Sequence, residues 1–237
     1  MENRNLPKDK KSNEIRKMFS SIAPSYDFLN HFLSFHFDKM WRKKAAKRFS
    51  PKADEIYLDL CCGTGDFSVQ LSKRGETKII GLDFSLEMLK IARGKTDKIY
   101  FINGDAMAMP FKDETFDGCI VAFGIRNFEN LEKGICETER VLKKGAPFVI
   151  LEFPNKVKGV FSPVFKLYFK FILPIIGRII SKNDFAYKYL PESTKFFPSK
   201  DELKEIFQKC GFEVVEIKER TFGIVNEIVL QKSKMQR

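Results

Sequence analysis

Metal-binding patterns are missing from this chain of 237 residues. Its two histidines, His31 and His36, do not have the spacing of metal ligands. Its five cysteines, Cys61, Cys62, Cys119, Cys136 and Cys210, include no CxxC. An odd count without a motif argues against a zinc site and against a disulfide framework, so five free thiols in a reducing cytoplasm, and no metal, are expected. No apolar stretch follows the charges of Met1 to Lys11, which excludes a secretory signal. That segment is also too acidic and too poor in arginine for a transit peptide. There is no internal repeat and no low-complexity tract. A long uncharged run is absent too. Residues 160–180 are apolar, but Lys166, Lys170 and Arg178 interrupt them, and Pro163 and Pro174 fall inside. A bilayer span needs about 20 mostly apolar residues, and a mid-helix cation costs about 2.5–3.5 kcal/mol on insertion scales. The uncharged piece from Phe171 to Gly177 is far too short, so spanning is excluded. Lys166 and Lys170 share a helix face, which suits an apolar lid or an interfacial helix with snorkelling lysines. An ordinary buried helix over a sheet is the alternative.

Hydrophobic residues make up 43% and charged residues 31%, which places the chain among globular proteins and excludes disordered tails and collagen-like rods. Lys and Arg number 42 against 31 Asp and Glu, a net charge of +11. The excess is unevenly placed. Residues 1–50 carry 12 basic and 5 acidic side chains, and residues 154–199 carry 8 and 2. Residues 51–153 carry 14 and 17, so the middle is mildly acidic. Two basic segments flanking an acidic block suit an anionic partner such as a membrane surface or a nucleic acid, or else a plain solvated face.

Residues 12–49 read as helical with an interruption at Ala23-Pro24. Short apolar strands are expected at 55–60, 78–83, 99–103, 116–122 and 146–152, alternating with helices at 67–73, 86–93 and 129–142. Such alternation implies a parallel sheet with helical crossovers, a doubly wound α/β fold. After residue 153 the rhythm breaks. It resumes with a helix over 200–209 beside Ser199, a stop at Gly211, and two strands, 212–219 and 224–231, around Thr221-Phe222-Gly223. The ligand of such a fold lies beyond the carboxyl ends of the strands, beside the first one.

The first strand ends Leu58-Asp59-Leu60 and enters Cys61-Cys62-Gly63-Thr64-Gly65-Asp66. Gly63 and Gly65 let backbone N–H groups approach a ligand. Asp83 ends the second strand, where a carboxylate can accept both ribose hydroxyls of an adenosine. Asp105-Ala106 follows the third strand and could meet the adenine edge. A dinucleotide site wants a third glycine where this chain has Ser68. Asp59 and Asp66 would repel phosphates but not a sulfonium amino acid. The combination points to S-adenosylmethionine; a structural turn without a ligand is the alternative.

These residues resemble the ubiquinone/menaquinone biosynthesis C-methyltransferases (UbiE/MenG type), and the likeness runs nearly end to end. It is carried by Ile22-Ala23-Pro24-Ser25-Tyr26-Asp27-Phe28-Leu29-Asn30, by the loop Leu58 to Ser68, by Gly81 to Ser85 and by Gly104 to Asp117. The most specific pieces are Phe123-Gly124-Ile125-Arg126-Asn127 and Tyr187-Lys188-Tyr189-Leu190-Pro191-Glu192-Ser193. The resemblance implies a Rossmann-like class I fold: a mostly parallel seven-stranded sheet with a C-terminal antiparallel hairpin and a helical lid. It implies residues 1–50 as an N-terminal lid segment and 51–153 as the cofactor-binding half. Residues 154–199 would be a basic, aromatic-rich substrate insertion, and 200–237 would complete the sheet. By position it adds Thr64 to Asp59, Gly63, Gly65, Asp83, Asp105 and Ala106 as cofactor-binding residues.

The implied activity is C-methylation of a polyprenyl quinol, most simply demethylmenaquinol to menaquinol, with a benzoquinol or another small molecule as alternatives. Arg126, Asn127, Tyr26 and Asp27 are the catalytic candidates. Arg126 has a second reading as a structural ion-pair partner, and Tyr26 as a lid anchor. Ala122-Phe123-Gly124 does not resemble the motif of base-amine methylation, so no nucleic acid partner is expected. The expected location is the cytoplasm, with peripheral contact to an anionic membrane. The chain departs from the family at His36, where glycine is usual, at Ala122 for serine, at Ala146 for glycine, and in lacking a histidine in its last strand.

Overall fold

The computed structural model describes residues 12–156, 189 and 193–234. In chain order its elements are α1 (Ser12–Leu33), α2 (Phe37–Ala46), β1 (Ile56–Leu60), α3 (Asp66–Ser72), β2 (Lys78–Asp83), α4 (Leu86–Lys95) and β3 (Tyr100–Asn103). Then come β4 (Gly118–Ala122), a 3-10 turn (Ile125–Asn127), α5 (Leu131–Val141), β5 (Pro147–Glu152), α6 (Lys200–Lys209), β6 (Phe212–Arg220) and β7 (Val225–Lys232). Residues 160–180, read above as an apolar lid or interfacial helix, lie outside the described residues.

The strands form one seven-stranded sheet in the order β3-β2-β1-β4-β5-β7-β6. From β3 to β5 all neighbours are parallel, and β7 runs antiparallel to both β5 and β6. The fold is the seven-stranded α/β class expected from the sequence, with the reversal of strand order between β1 and β4.

Alternate residues of the central strands feed two separate cores. Leu58, Leu60, Cys119, Val121, Phe148 and Ile150 pack on one face with Ile135 of α5 and Phe207 of α6. Tyr57, Ile79, Ile120, Val149 and Leu151 pack on the other with Trp41 and Ala45 of α2, Leu71 of α3 and Leu89 of α4. The central strands are covered on both sides, so they read as unbroken apolar runs. α6 begins at a capping box, with the Ser199 side chain accepting from the Glu202 N–H and Glu202 reaching back to the Ser199 N–H.

Two expectations are corrected. The first helix does not break at Ala23-Pro24: α1 runs through Pro24. The ring sits on the exposed side, while Ile22, Ala23 and Leu29 are buried with Met88 of α4, and that packing outweighs the one lost backbone bond. The break falls instead at Phe35 and His36, both left-handed at φ 50° and 60°. Glycine enters that region without steric cost, which explains why it is usual where this chain has His36. Nor are all five cysteines free. Cys136 of α5 and Cys210 at the end of α6 form a disulfide, with Cα atoms 4.7 Å apart. The pair lies 74 residues apart in sequence and meets only because α6 packs along α5, a tertiary contact that no spacing rule reveals. Cys61, Cys62 and Cys119 are free.

Candidate active site

At the carboxyl ends of β1, β2 and β4 lies a cleft of about 670 Å³, counting its open mouth. Its floor is backbone. Gly63, at φ 54°, has open space where a Cβ would stand, so the loop leaves room for a ligand at that point. The Gly63 N–H donates to Asp83 Oδ2 at 2.9 Å and the Ser85 N–H donates to Asp83 Oδ1 at 2.9 Å. Asp83 is buried, and burial raises its carboxyl to about 6 against the pull of those N–H donors. On the far side Gly104, Asp105, Ala106 and Met107 line the cleft, and the Asp105 carboxylate accepts from the Met107 N–H at 2.8 Å.

A third side comes from β4. Gly124 passes so close to Cys61 that an added Cβ would sit 2.6 Å from the Cys61 Cβ, so only glycine lets β4 leave the sheet there. Ala122, Phe123, Asn127 and Phe128 follow around the rim. The last side is helical. Phe19 and Tyr26 of α1 line the cleft with Phe84 and Met88, and Phe19 lies 6.1 Å from Tyr26 and 6.3 Å from Phe84 between ring centres.

Of the cofactor residues expected from sequence, Gly63, Asp83, Asp105 and Ala106 line this one cleft. Asp59, Thr64 and Gly65 shape the loop from behind. Asp59 is buried and accepts from the Ser68 hydroxyl, which ties β1 to α3; burial pushes its carboxyl up to about 7. Gly65 is the left-handed N-cap of α3. Thr64 is buried, and its hydroxyl donates to Asp27 of α1.

Of the four catalytic candidates, Tyr26 and Asn127 line the cleft and Arg126 and Asp27 do not. Arg126 is buried against Glu152: its Nη1 donates to Oε1 at 2.8 Å and its backbone N–H to Oε2 at 3.3 Å. Tyr189 donates to Asn127 Oδ1 at 3.0 Å. Burial raises the phenols of both Tyr26 and Tyr189, the latter to about 12, although Arg126 opposes the rise in each. Both are therefore protonated donors at neutral pH. Asp27 pairs with Lys95 of α4 at 2.6 Å, and Lys95 also pairs with Asp66 at 2.6 Å.

The helical side is held by a longer chain of charges. His31 Nδ1 is 2.7 Å from Asp38 and its Nε2 3.5 Å from Asp66. The buried Arg42 pairs with the buried Asp38. His31, Asp38 and Asp66 cluster closely enough to suggest a metal site, but Arg42 and Lys95 already neutralise the two carboxylates.

Among the described residues no lysine or arginine lines the cleft, and the carboxylates of Asp83 and Asp105 in it suit the hydroxyls and amine of an adenosine. A profile of the ubiE/COQ5 methyltransferase family matches residues 7–231. The chain belongs to this family. Among its relatives, the demethylmenaquinone methyltransferase of Thermus thermophilus is 44% identical over 212 residues, 87% of this chain and 96% of that one. The namesake from Deinococcus radiodurans is 42% identical over 222 residues, covering 92% of each chain. Among solved structures, a possible histamine N-methyltransferase from Thermotoga maritima is 23% identical with a TM-score of 0.65, covering 92% of this chain and 99% of that one. The [4+2]-cyclase SpnF reaches 0.68 at 15% identity, covering 94% and 96%. At those identities the structures share the fold alone.

Within the family fold, sequence reasoning did not single out the apolar lining of the cleft, chiefly Phe19, Phe84, Met88 and Phe128. Phe84 had a signal, as the residue directly after Asp83. Phe19 and Met88 had none, because an aromatic or methionine on a helix reads as core, and neither had Phe128, an apolar residue just past the 3-10 turn. Glu152, the partner that fixes Arg126, also went unassigned.

Proposed function

We propose that this methyltransferase transfers a methyl group from S-adenosylmethionine to a ring carbon of a polyprenyl quinol, converting demethylmenaquinol to menaquinol. The observation that carries the cofactor is the buried Asp83 at the floor of the cleft, with Asp105 and Ala106 on its far side. The acceptor is supported by the names of relatives that match this chain over nearly its whole length. Asp83 would hold the ribose hydroxyls, Asp105 and Ala106 the adenine edge, and the Gly63–Gly65 loop the amino-acid end. When bound, the cofactor supplies a methyl group already activated on sulfur, so no metal is needed to polarise it.

The chain's own work is to hold, orient and shield. Phe19, Phe84, Met88 and Phe128 exclude water from the cleft. Tyr26 and Asn127 stand on its rim, where a phenolic oxygen of the acceptor would lie. Tyr26, held protonated, serves as a hydrogen-bond donor to that oxygen and not as a base. Arg126, locked on Glu152, fixes the 3-10 turn that places Asn127 on the rim, while loss of the phenolic proton raises the nucleophilicity of the ring carbon. Asp27 acts on the loop, through Thr64. In this reading residues 1–50 cover the site, 51–153 bind the cofactor, 154–199 receive the acceptor and 200–237 complete the sheet. The protein works in the cytoplasm, in peripheral contact with an anionic membrane. No helix among the described residues is long and apolar enough to cross a membrane.

The test is a purified reaction with methyl-deuterated S-adenosylmethionine and each acceptor. Labelled methyl on the ring carbon of the reduced naphthoquinol is expected, with little on a benzoquinol and none on strictly oxidised quinone. Faster labelling of the benzoquinol would replace the acceptor, and equal turnover of oxidised quinone would overturn the mechanism.

A further inference from the structure

Nine large apolar side chains are exposed among the described residues, and four of them fall within one ten-residue stretch. These are Phe28 at 58%, Phe32 at 51%, Phe35 at 74% and Phe37 at 42% exposure. They ring the corner where α1 ends and α2 begins. Phe28 and Phe32, one helical turn apart, stack at 5.8 Å, and Phe37 stacks on the buried Trp41 at 6.2 Å. Scattered exposed aromatics need no explanation, but a cluster marks an interaction site.

The charge carried by this stretch of chain is nearly all of one sign. From Phe28 to Ser50 the only acid is Asp38, which is buried and paired with Arg42. Lys39, Lys43, Lys44 and Lys47 are all exposed. Aromatic rings at a turn, with long cationic side chains beside them, match a bilayer surface: the rings enter the headgroup boundary and the lysines meet lipid phosphates. A partner protein with an apolar groove would not require four exposed lysines within nine residues of chain.

The corner is also continuous with the cleft. Tyr26, which lines the cleft, is two residues before Phe28 on α1, so one side of this helix faces the cofactor site while its end presents the aromatics. We propose that the α1–α2 corner is a docking surface for an anionic lipid bilayer, and that it brings the mouth of the cleft to the membrane. This rests on the reading that the acceptor is a lipophilic quinol. Residues 160–180 are not needed for it.

The test is co-sedimentation of the full chain with phosphatidylcholine vesicles, with and without phosphatidylglycerol, in the absence of any acceptor. Wild type should bind the anionic vesicles at least about tenfold more tightly, and added salt should weaken that binding. Phe32→Ser with Phe35→Ser, and separately Lys43→Glu with Lys44→Glu, should each cut it by about tenfold. All four side chains are largely exposed, so melting curves should change little. Both double variants should keep wild-type turnover on a short-tailed quinol in solution and lose turnover on a long-tailed quinol embedded in vesicles. Equal binding to neutral vesicles, or unchanged binding of either variant, overturns the proposal. A concentration-dependent dimer of wild type that the phenylalanine variant abolishes also overturns it, making the corner a contact between copies of this chain. Vesicle binding without turnover on any quinol leaves the corner standing and refutes the acceptor.

Discussion

The cleft has two kinds of wall. The sheet side is made by loops that follow β1, β2 and β3, and backbone N–H groups of Gly63 and Ser85 lock its central carboxylate, Asp83. The α1 side is held by side chains alone, by apolar packing on Met88 and through Thr64–Asp27–Lys95–Asp66–His31–Asp38–Arg42. A backbone-built wall is rigid because its donors are fixed by the sheet. A wall tied by side-chain charges can be loosened one residue at a time, and it is the wall across which an acceptor must pass.

The largest effect should come from cutting the helical wall. Arg42→Ala leaves Asp38 buried without its cation, and breaking such a pair costs about 3 kcal/mol; His31 and Ser34, which also bond Asp38, keep the loss from being greater. Thermal melting should show it, while cofactor affinity at low temperature changes little. The converse cut is Asp83→Ala in the sheet wall. Cofactor affinity should fall at least about tenfold, roughly 1.4 kcal/mol, by calorimetry. If Arg42→Ala lowers cofactor affinity as much as Asp83→Ala does, the two walls are not separable.

Acidity sharpens the contrast. Asp83 and Asp59 both titrate high, at about 6 and about 7, because burial disfavours their charge. Between pH 4 and those values the folded chain holds protons that the unfolded chain has lost. These two groups therefore favour folding at low pH, and that contribution is lost as pH rises through 6 to 7. Cofactor affinity should move the other way and weaken as pH falls below about 6, since a protonated Asp83 accepts poorly from ribose hydroxyls. Calorimetric titrations between pH 5 and 8 check this; affinity independent of pH across that range contradicts the Asp83 assignment. The smallest effect is expected at the corner. His36→Gly relieves a left-handed φ of 60° but frees the unfolded chain, a net gain of about 0.5–1 kcal/mol in denaturant melts.

The same contrast governs what can be read from residues. β2 is legible to its last residue, Asp83, because a run of apolar residues ending in one carboxylate before Phe84-Ser85 is a local pattern. The cap at Ser199 and the turn at Thr221-Phe222-Gly223 are equally local. The ties of the helical wall join residues from four separate helices, and no window contains them. Glu152 meets Arg126 only because β5 lies beside β4. Pro24 misled in the opposite direction, since a strong local breaker yields when its neighbours are buried against another helix.

One feature of the sheet bears on the order in which the molecule is made. β7, the last strand of the chain, is not at an edge: it lies between β5 and β6. Until Val225–Lys232 leave the ribosome, the apolar strand Phe148–Leu151 has an open side with unpaired backbone groups. The cofactor half can pair its parallel strands early, but closure waits until β7 has been made. A chain stopped short of β7 would therefore carry a finished cleft beside an adhesive edge, and should aggregate through β5.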